Sequence, residues 1–537
     1  AKRRPTSLLR RDPPPWAAAR ASDGVMVQGV RIESGRIVDV NPATGDEIAR
    51  VQVSTLAEVD VCIATAKAVQ PAWAAVPLAE RTELVRLACR RIGDIEGLAA
   101  LITKEMGKTL KEAEEEVADN ADKDEYCELV MRANEPEVHG GSVIVRHPHG
   151  VVSICAPWNF PVEEIVLLSI PALIAGNAVV IKPSEVVPLS GAEVAGALMA
   201  GLNAKFAGLV SLVQGDGAVG SYLVAHADVD MCAFTGSTAT GEKILEGASK
   251  SLKRVVLECG GKDPMVVLAD ADVEQAAKDA VDFSLANCGQ VCCAVERVYV
   301  ADAIYAAFEA KVVQHAKAYV AGNGLDPASM IGPMVSDTQR QIVHAHVQAA
   351  SKAGAKCLVG GTMPPSSDKG TFYPPTVLSG VPHACSTTVE ETFGPVVALS
   401  RFDGADETAV KLANDSSYGL TASVYSADLA RAGRIASRIS AGQVGINNNP
   451  LSGARDVRSP FVGHKRSGYG SHSGTDGWRA FSTPKTLIYM AKPPSTALPT
   501  MGQPLPARDA GDAWKAYAWP ALTAAALAVA LVAVMKK

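Results

Sequence analysis

Residues 283–300 read FSLANCGQVCCAVERVYV, and a Gly-Gln pair just ahead of Cys292 suggests a turn leading into an ordered segment. A thiol attacks as its thiolate, so a reactive cysteine needs a nearby base or a lowered pKa and a partly open position such as a helix start. By itself, one cysteine in a glycine-containing loop is more often structural. Adjacent side chains point in different directions, so Cys293 reads as a packing residue and not a second nucleophile. Cys288 also reads as packing, with oxidative pairing to Cys292 left open. Upstream, Glu258 lies in the run LECGGK. A pocket carboxylate whose pKa is raised by burial can take a proton from water; the competing reading is a solvated carboxylate at a strand end. Gly215-Asp216-Gly217-Ala218-Val219-Gly220 fits GxGxxG, a weak signal alone. The histidines form no HExxH and the cysteines have no zinc spacing, so no metal is predicted; His147 and His149 read as loop residues.

The elements that must carry these groups follow from periodicity. Residues 57–73 and 78–95 read as amphipathic helices. The short apolar runs VVSICAP, AVVIKPS, LVSLVQG, MCAFTGS, RVVLECGG and PMVVLAD then follow, separated by helical stretches. Strands alternating with helices imply parallel pairing, with ligands gathered outside the carboxyl ends of the strands. A second alternating block runs over residues 269–448, and a polar, glycine-rich segment follows it.

Hydrophobic content of 48% and charged content of 20% describe an ordinary globular chain, long enough at 537 residues for several cores. A net charge of -6, with no basic stripe interleaved with aromatics, argues against a nucleic-acid partner. Eleven cysteines without CxxC pairs read as reduced thiols in a reducing compartment. Residues 1–22 are Arg-rich and acid-poor, which fits either a transit remnant or a solvated basic tail. Residues 491–515 read as a linker, and residues 516–535 carry no charge. That run is long enough to span about 30 Å as a helix, one bilayer core, and Trp514, Tyr517 and Trp519 would form an aromatic belt beside it. A single-pass C-terminal anchor is expected, with mitochondrion, chloroplast and endoplasmic reticulum all open as its membrane.

The segments now fit a family pattern. Asn287-Cys288-Gly289-Gln290-Val291-Cys292 resembles the cysteine signature of the aldehyde dehydrogenase superfamily, and Leu257-Glu258-Cys259-Gly260-Gly261-Lys262 resembles its glutamate signature. Pro157-Trp158-Asn159-Phe160-Pro161, Lys182-Pro183-Ser184-Glu185, Phe234-Thr235-Gly236-Ser237-Thr238, Glu391-Thr392-Phe393-Gly394-Pro395 and Ser467-Gly468-Tyr469-Gly470 are similar to further family motifs, in the family's order. The resemblance implies oxidation of an aldehyde to the acid with NAD as hydride acceptor, through a thiohemiacetal and a thioester on Cys292. It implies Glu258 as the base for thioester hydrolysis and Asn159, with the Cys292 backbone N–H, as oxyanion donors. It implies cofactor contacts for Trp158, Lys182, Glu185, Gly215, Gly236, Ser237, Glu391 and Phe393, with NADP less favoured because Glu185 would repel a 2′-phosphate. Gly215 takes a peripheral place near the adenine end, and the phosphates meet the turn at Ser237.

The implied fold class is α/β. A Rossmann-like cofactor domain (residues 23–124 and 149–260) accompanies an α/β catalytic domain (261–475), a small strand-rich oligomerisation arm (125–148 and 476–490) and a C-terminal transmembrane helix (516–535). A homodimer or homotetramer is expected. The anchor points to a lipid-derived aldehyde. The competing functions are a CoA-acylating dehydrogenase, against which Glu258 argues, and a membrane-tethered scaffold without turnover. The chain departs from the pattern at Val462, where the family commonly has Gly, and at Ser471-His472, where it commonly has Arg-Glu. Glu163 and Glu164 are unusual after the Trp-Asn-Phe-Pro turn. They read either as channel acids, one of them facing the substrate and favouring a polar or cationic aldehyde, or as a solvated or salt-bridged helix start.

Overall fold

The first five apolar runs become parallel strands because they are mostly buried, and each of the first four is followed by a helix that returns the chain. The computed structural model describes residues 26–27, 30–365, 369–452 and 456–490. In sheet order, Arg254–Glu258, Met231–Thr235, Val151–Cys155, Ala178–Lys182 and Val210–Leu212 pair parallel, and Gly468–Tyr469 adds antiparallel to the free edge of Arg254–Glu258. Cys155 stands opposite Lys182 and Thr235 opposite Glu258, so these motif residues end their strands on one edge of the sheet.

The sixth run, Asp263–Val267, leaves this sheet. It is a central strand of a second, seven-stranded sheet, parallel to Val295–Ala301 on one side and to Thr421–Tyr425 on the other. The chain crosses between the sheets at Cys259-Gly260-Gly261-Lys262, so the glutamate signature is itself the junction. Each sheet has its own apolar core, packed by helices such as Glu163–Ala175 and Val273–Leu285.

Leu56–Ala74 starts on a Thr55–Glu58 capping box, while the helix from Leu78 ends at Arg90 and tightens into a 3-10 turn over Arg91–Asp94. Of the segments expected to be strand-rich, Asp124–Ala133 and Gly474–Ala480 are helical. The strands Glu137–His139, Ser142–Pro148 and Ser482–Ile488 form a separate antiparallel sheet. Among the described residues no helix is long and apolar enough to cross a membrane. The basic segment 1–22, the linker and the uncharged run 516–535 lie outside the described residues.

Candidate active site

Cys292 follows two consecutive non-glycine residues in the left-handed region, Asn287 (φ 48°) and Cys288 (φ 57°). L-residues hold that conformation only where their surroundings over-determine it, and here several contacts do so. The Asn287 side chain donates to the carbonyls of Asn159 and Gln290 at 3.3 and 3.2 Å. Gln290, fully buried, accepts from the Val335 N–H at 2.8 Å. A Cβ on Gly289 would meet the Gly394 carbonyl at 2.2 Å, so only glycine lets the 394 turn close over the loop. Cys288 is buried with its sulfur against Met334, and Cys293 is buried in an apolar cluster with Val291, Leu420, Phe160, Leu451 and Phe461. Cys292 itself is only half-buried.

Asn159 comes to the same loop from the cofactor sheet. Its buried amide donates to the Gln290 carbonyl at 3.1 Å, two residues before the thiol. Glu258, 2% exposed, ends its strand, and its carbonyl accepts the Gly236 N–H at 3.0 Å. Two residues on, the backbone runs against the thiol segment and the 391 motif together. A Cβ on Gly260 would overlap the Glu391 carboxylate, and the Gly261 N–H donates to that carboxylate at 3.1 Å. Glu296 braces this corner from below. Its two oxygens accept the Thr392 and Phe393 N–H groups, each at 2.8 Å, holding Phe393 at φ 51°. Its carboxylate also pairs with buried Lys262, which donates onward to Thr392. Phe393 in turn meets Trp158 edge-to-face at 5.4 Å.

The other predicted cofactor residues line the same sheet edge. Lys182, 5% exposed, pairs with Glu185 at 3.3 Å. Gly220 packs on the Lys182 stem, where a Cβ would stand 3.5 Å away, so the GxGxxG helix Gly217–Ala225 lies beside that pair. Asp216 caps this helix through the Ala218 and Val219 N–H groups. Gly236 lets the 235–238 turn fold over Phe234, whose ring a Cβ would meet at 2.5 Å, and Ser237 caps the helix Thr238–Ser249 through the Thr240 N–H. A helix beginning directly after the carboxyl end of a strand suits a pyrophosphate. The buried Lys182–Glu185 pair at the same edge suits ribose hydroxyls, so the residues present fit a nicotinamide dinucleotide.

Electrostatics favour neutral groups. The adjacent Cys293 thiol, burial, and then the charges of Glu164 and Asp263 push the Cys292 thiol well above its ordinary value. Burial raises Glu391 to about 8, with Glu296 adding to it, and burial likewise raises Asp263 to about 8. Glu164 is mostly buried. It accepts from the Thr235 hydroxyl at 2.6 Å and stands 3.8 Å from His472, whose ring stacks on Phe461. Val462 and Ser471 pair as an isolated bridge, so the departures from the family pattern share one wall, next to the apolar cluster around Cys292. Glu296, Asp263 and Gly261 were not singled out from the sequence. Glu296 follows Cys292 by one turn of chain and carries no pattern of its own.

The site thus combines a dinucleotide-type sheet edge with a loop-borne thiol and a buried carboxylate. The family model for the aldehyde dehydrogenase family matches residues 30–487. Betaine aldehyde dehydrogenase 1 of Rhizobium meliloti is 36% identical over 499 residues, 90% of this chain and 99% of that protein. A probable succinate-semialdehyde dehydrogenase [NADP(+)] of Sinorhizobium fredii is 35% identical over 455 residues, 83% of this chain and 91% of that protein. A crystal structure of a mutant aldehyde dehydrogenase C from Pseudomonas syringae, complexed with NAD+ and octanal, superposes with TM-score 0.80 at 33% identity, covering 86% of this chain and 97% of that one. The chain belongs to the aldehyde dehydrogenase family, whose members oxidise aldehydes to acids with NAD(P).

Proposed function

We propose that Cys292 is the nucleophile of an NAD-linked, hydrolytic aldehyde dehydrogenase. The observation that carries this reading is that Asn159 bonds the loop of the one half-buried cysteine at Gln290, while Gly261, which holds Glu391, abuts the Cys292 backbone. The surroundings hold the thiol protonated, so attack requires that its proton pass to solvent as the C–S bond forms. The Asn159 amide and the Cys292 N–H take the charge that develops on the substrate oxygen. The bound dinucleotide supplies the hydride acceptor. Glu258 then takes a proton from water as the water attacks the thioester carbonyl, and C–S cleavage returns the thiolate and releases the acid. Glu391 and the Phe393–Trp158 ring pair position the nicotinamide end, and Lys182 with Glu185 the adenosine ribose. Cys292→Ser should abolish NADH formation from aldehydes, and turnover should not require CoA. NADH formation by the serine variant would overturn the assignment, and absolute CoA dependence would replace it with the acylating reaction.

Preference for NAD rests on Glu185, so Glu185→Gln should raise the NADP/NAD ratio of kcat/KM; an unchanged ratio would remove that argument. The exposed edge residues Val138 (49%), Ile488 (84%) and Met490 (88%) support assembly through the small sheet as a homodimer or homotetramer. Membrane association through residues 516–535, and with it a lipid-derived aldehyde, rests on that uncharged run. The apolar cluster beside Cys292 and the octanal-bound relative support a chain-like substrate. A second reading, a small cationic aldehyde, is favoured by Glu164, whose charge bears on the thiol, and by the betaine aldehyde dehydrogenase relatives. A kcat/KM series from acetaldehyde through decanal to hexadecenal, with betaine aldehyde alongside, separates them: no gain with chain length would sink the lipid reading. Flotation with phosphatidylcholine vesicles should be lost in Leu527→Arg, since Arg at the centre of a spanning helix costs about 3 kcal/mol.

A further inference from the structure

We infer that Glu112 and Glu116, on a helix remote in sequence from every motif of the site, are positioning residues that hold the two oxyanion donors in register. The inference rests on the reading of Cys292 and Asn159 given above. Glu112 opens the helix Leu110–Ala121, and its carboxylate is divided between two tasks. One oxygen closes the capping box with the Thr109 N–H and hydroxyl at 3.0 and 2.8 Å. The other accepts the Asn287 N–H at 2.7 Å. Asn287 is the first of the two left-handed residues that bend the chain into Cys292, so this bond fixes the loop where its backbone is most strained.

One turn later, Glu116 acts on the other donor. One oxygen accepts the Val162 and Glu163 N–H groups at 2.9 and 3.1 Å, which fixes the chain directly after the Asn159 turn. The second pairs with Lys108 at 2.6 Å, and both side chains are almost wholly buried, at 2% and 0% exposure. The Lys108 ammonium stands 4.0 Å from the centroid of Phe160, the residue after Asn159. Two carboxylates on successive turns of one rigid element therefore hold the cysteine loop and the asparagine turn, which belong to different sheets. A buried ion pair is a poor source of net stability but a strict fixer of geometry, because losing one partner strands the other.

The test uses the full chain with Glu112→Ala, Glu112→Gln, Glu116→Gln and Thr109→Ala, reading kcat, KM for NAD and for aldehyde, Tm, and the rate of Cys292 alkylation by iodoacetamide. Glu112→Ala should lower kcat about 100-fold, the scale of a displaced reacting group, with KM for NAD unchanged and the alkylation rate altered. Glu112→Gln should recover most of the loss, because its amide oxygen still accepts the Asn287 N–H. Glu116→Gln should lower kcat with KM for NAD again unchanged. Thr109→Ala breaks the same capping box without touching Asn287, so it should lower Tm and keep wild-type kcat. Wild-type kcat in Glu112→Ala, or an equal kcat loss in Thr109→Ala, would overturn the inference. NADH formation by Cys292→Ser would instead remove the reading beneath it.

Discussion

Gly261 stands against Cys292 so closely that a Cβ on it would come within 2.6 Å of the Cys292 carbonyl oxygen and 2.5 Å of the Asp263 carboxylate. The Cys292 segment and the segment that follows Glu258 thus meet at the crossing between the two sheets. Gly261→Ala must push the cysteine loop outward. We expect a kcat loss on the order of 100-fold in a protein that still folds and still binds NAD, since a displacement near 1 Å costs about that much. Wild-type kcat in this variant would show that the contact is slack.

Glu258 has a separate signature from Cys292. Glu258→Gln should leave hydride transfer possible and stall deacylation, giving a burst of NADH equal to the active sites and then a steady rate lowered about 10²- to 10⁴-fold. Intact-protein mass spectrometry should trap the acyl group on Cys292. A full steady rate without acyl-enzyme would assign the base to another residue.

Asp263 sets a pH dependence on stability. Burial raises its carboxyl from 3.8 to about 8 in the folded chain, and the Thr421 hydroxyl that donates to it offsets only part of that rise. Between those values the folded protein holds a proton that the unfolded chain has released, so stability falls as pH rises from about 4 to about 8, and the loss is complete above that. Asp263→Asn retains an acceptor for Thr421 and has no proton to lose. Its Tm should therefore decline less than that of the parent between pH 5 and pH 9, with Glu391, also raised to about 8, supplying part of the decline that remains. Parallel Tm curves would refute the burial of an ionisable group here.

Glu164 adds negative charge to the surroundings of the Cys292 thiol, after the larger effects of the Cys293 thiol and burial. Glu164→Gln keeps an acceptor for the Thr235 hydroxyl and removes the charge. The pH midpoint of Cys292 alkylation should move down by about one unit, the lower end of what a nearby charge does to a thiol. A midpoint that stays put would place the carboxylate too far away to matter.

The five parallel strands of the first sheet and the strand Asp263–Val267 of the second were legible because continuous apolar runs bounded by turns leave few alternatives, and the motif residues at the carboxyl ends came with them; the other strands of the second sheet were covered only by an alternating block. What pattern could not give was the support. Asn287 and Cys288 are ordinary residues in a conformation that only the folded surroundings enforce. Glu112 and Glu116 sit four apart in a highly acidic stretch, which in sequence looks like a solvated helix face. Glu164 allowed two readings for the same reason; in the fold it accepts from Thr235 and stands 3.8 Å from His472, which fits a paired helix start. Helices at 124–133 and 474–480 fell within segments assigned to strands because their neighbours, and not they, form the small sheet.

The antiparallel pairing of Gly468–Tyr469 with Leu257–Glu258 has a consequence for biogenesis. During synthesis the strand that ends in Glu258 emerges some two hundred residues before its outer neighbour, and until then it presents a row of bare amides and carbonyls to whatever strand it meets. A nascent chain halted short of residue 468 is therefore an aggregation hazard, and the segment that pairs with the end of the Glu258 strand also withdraws that sticky edge from solution.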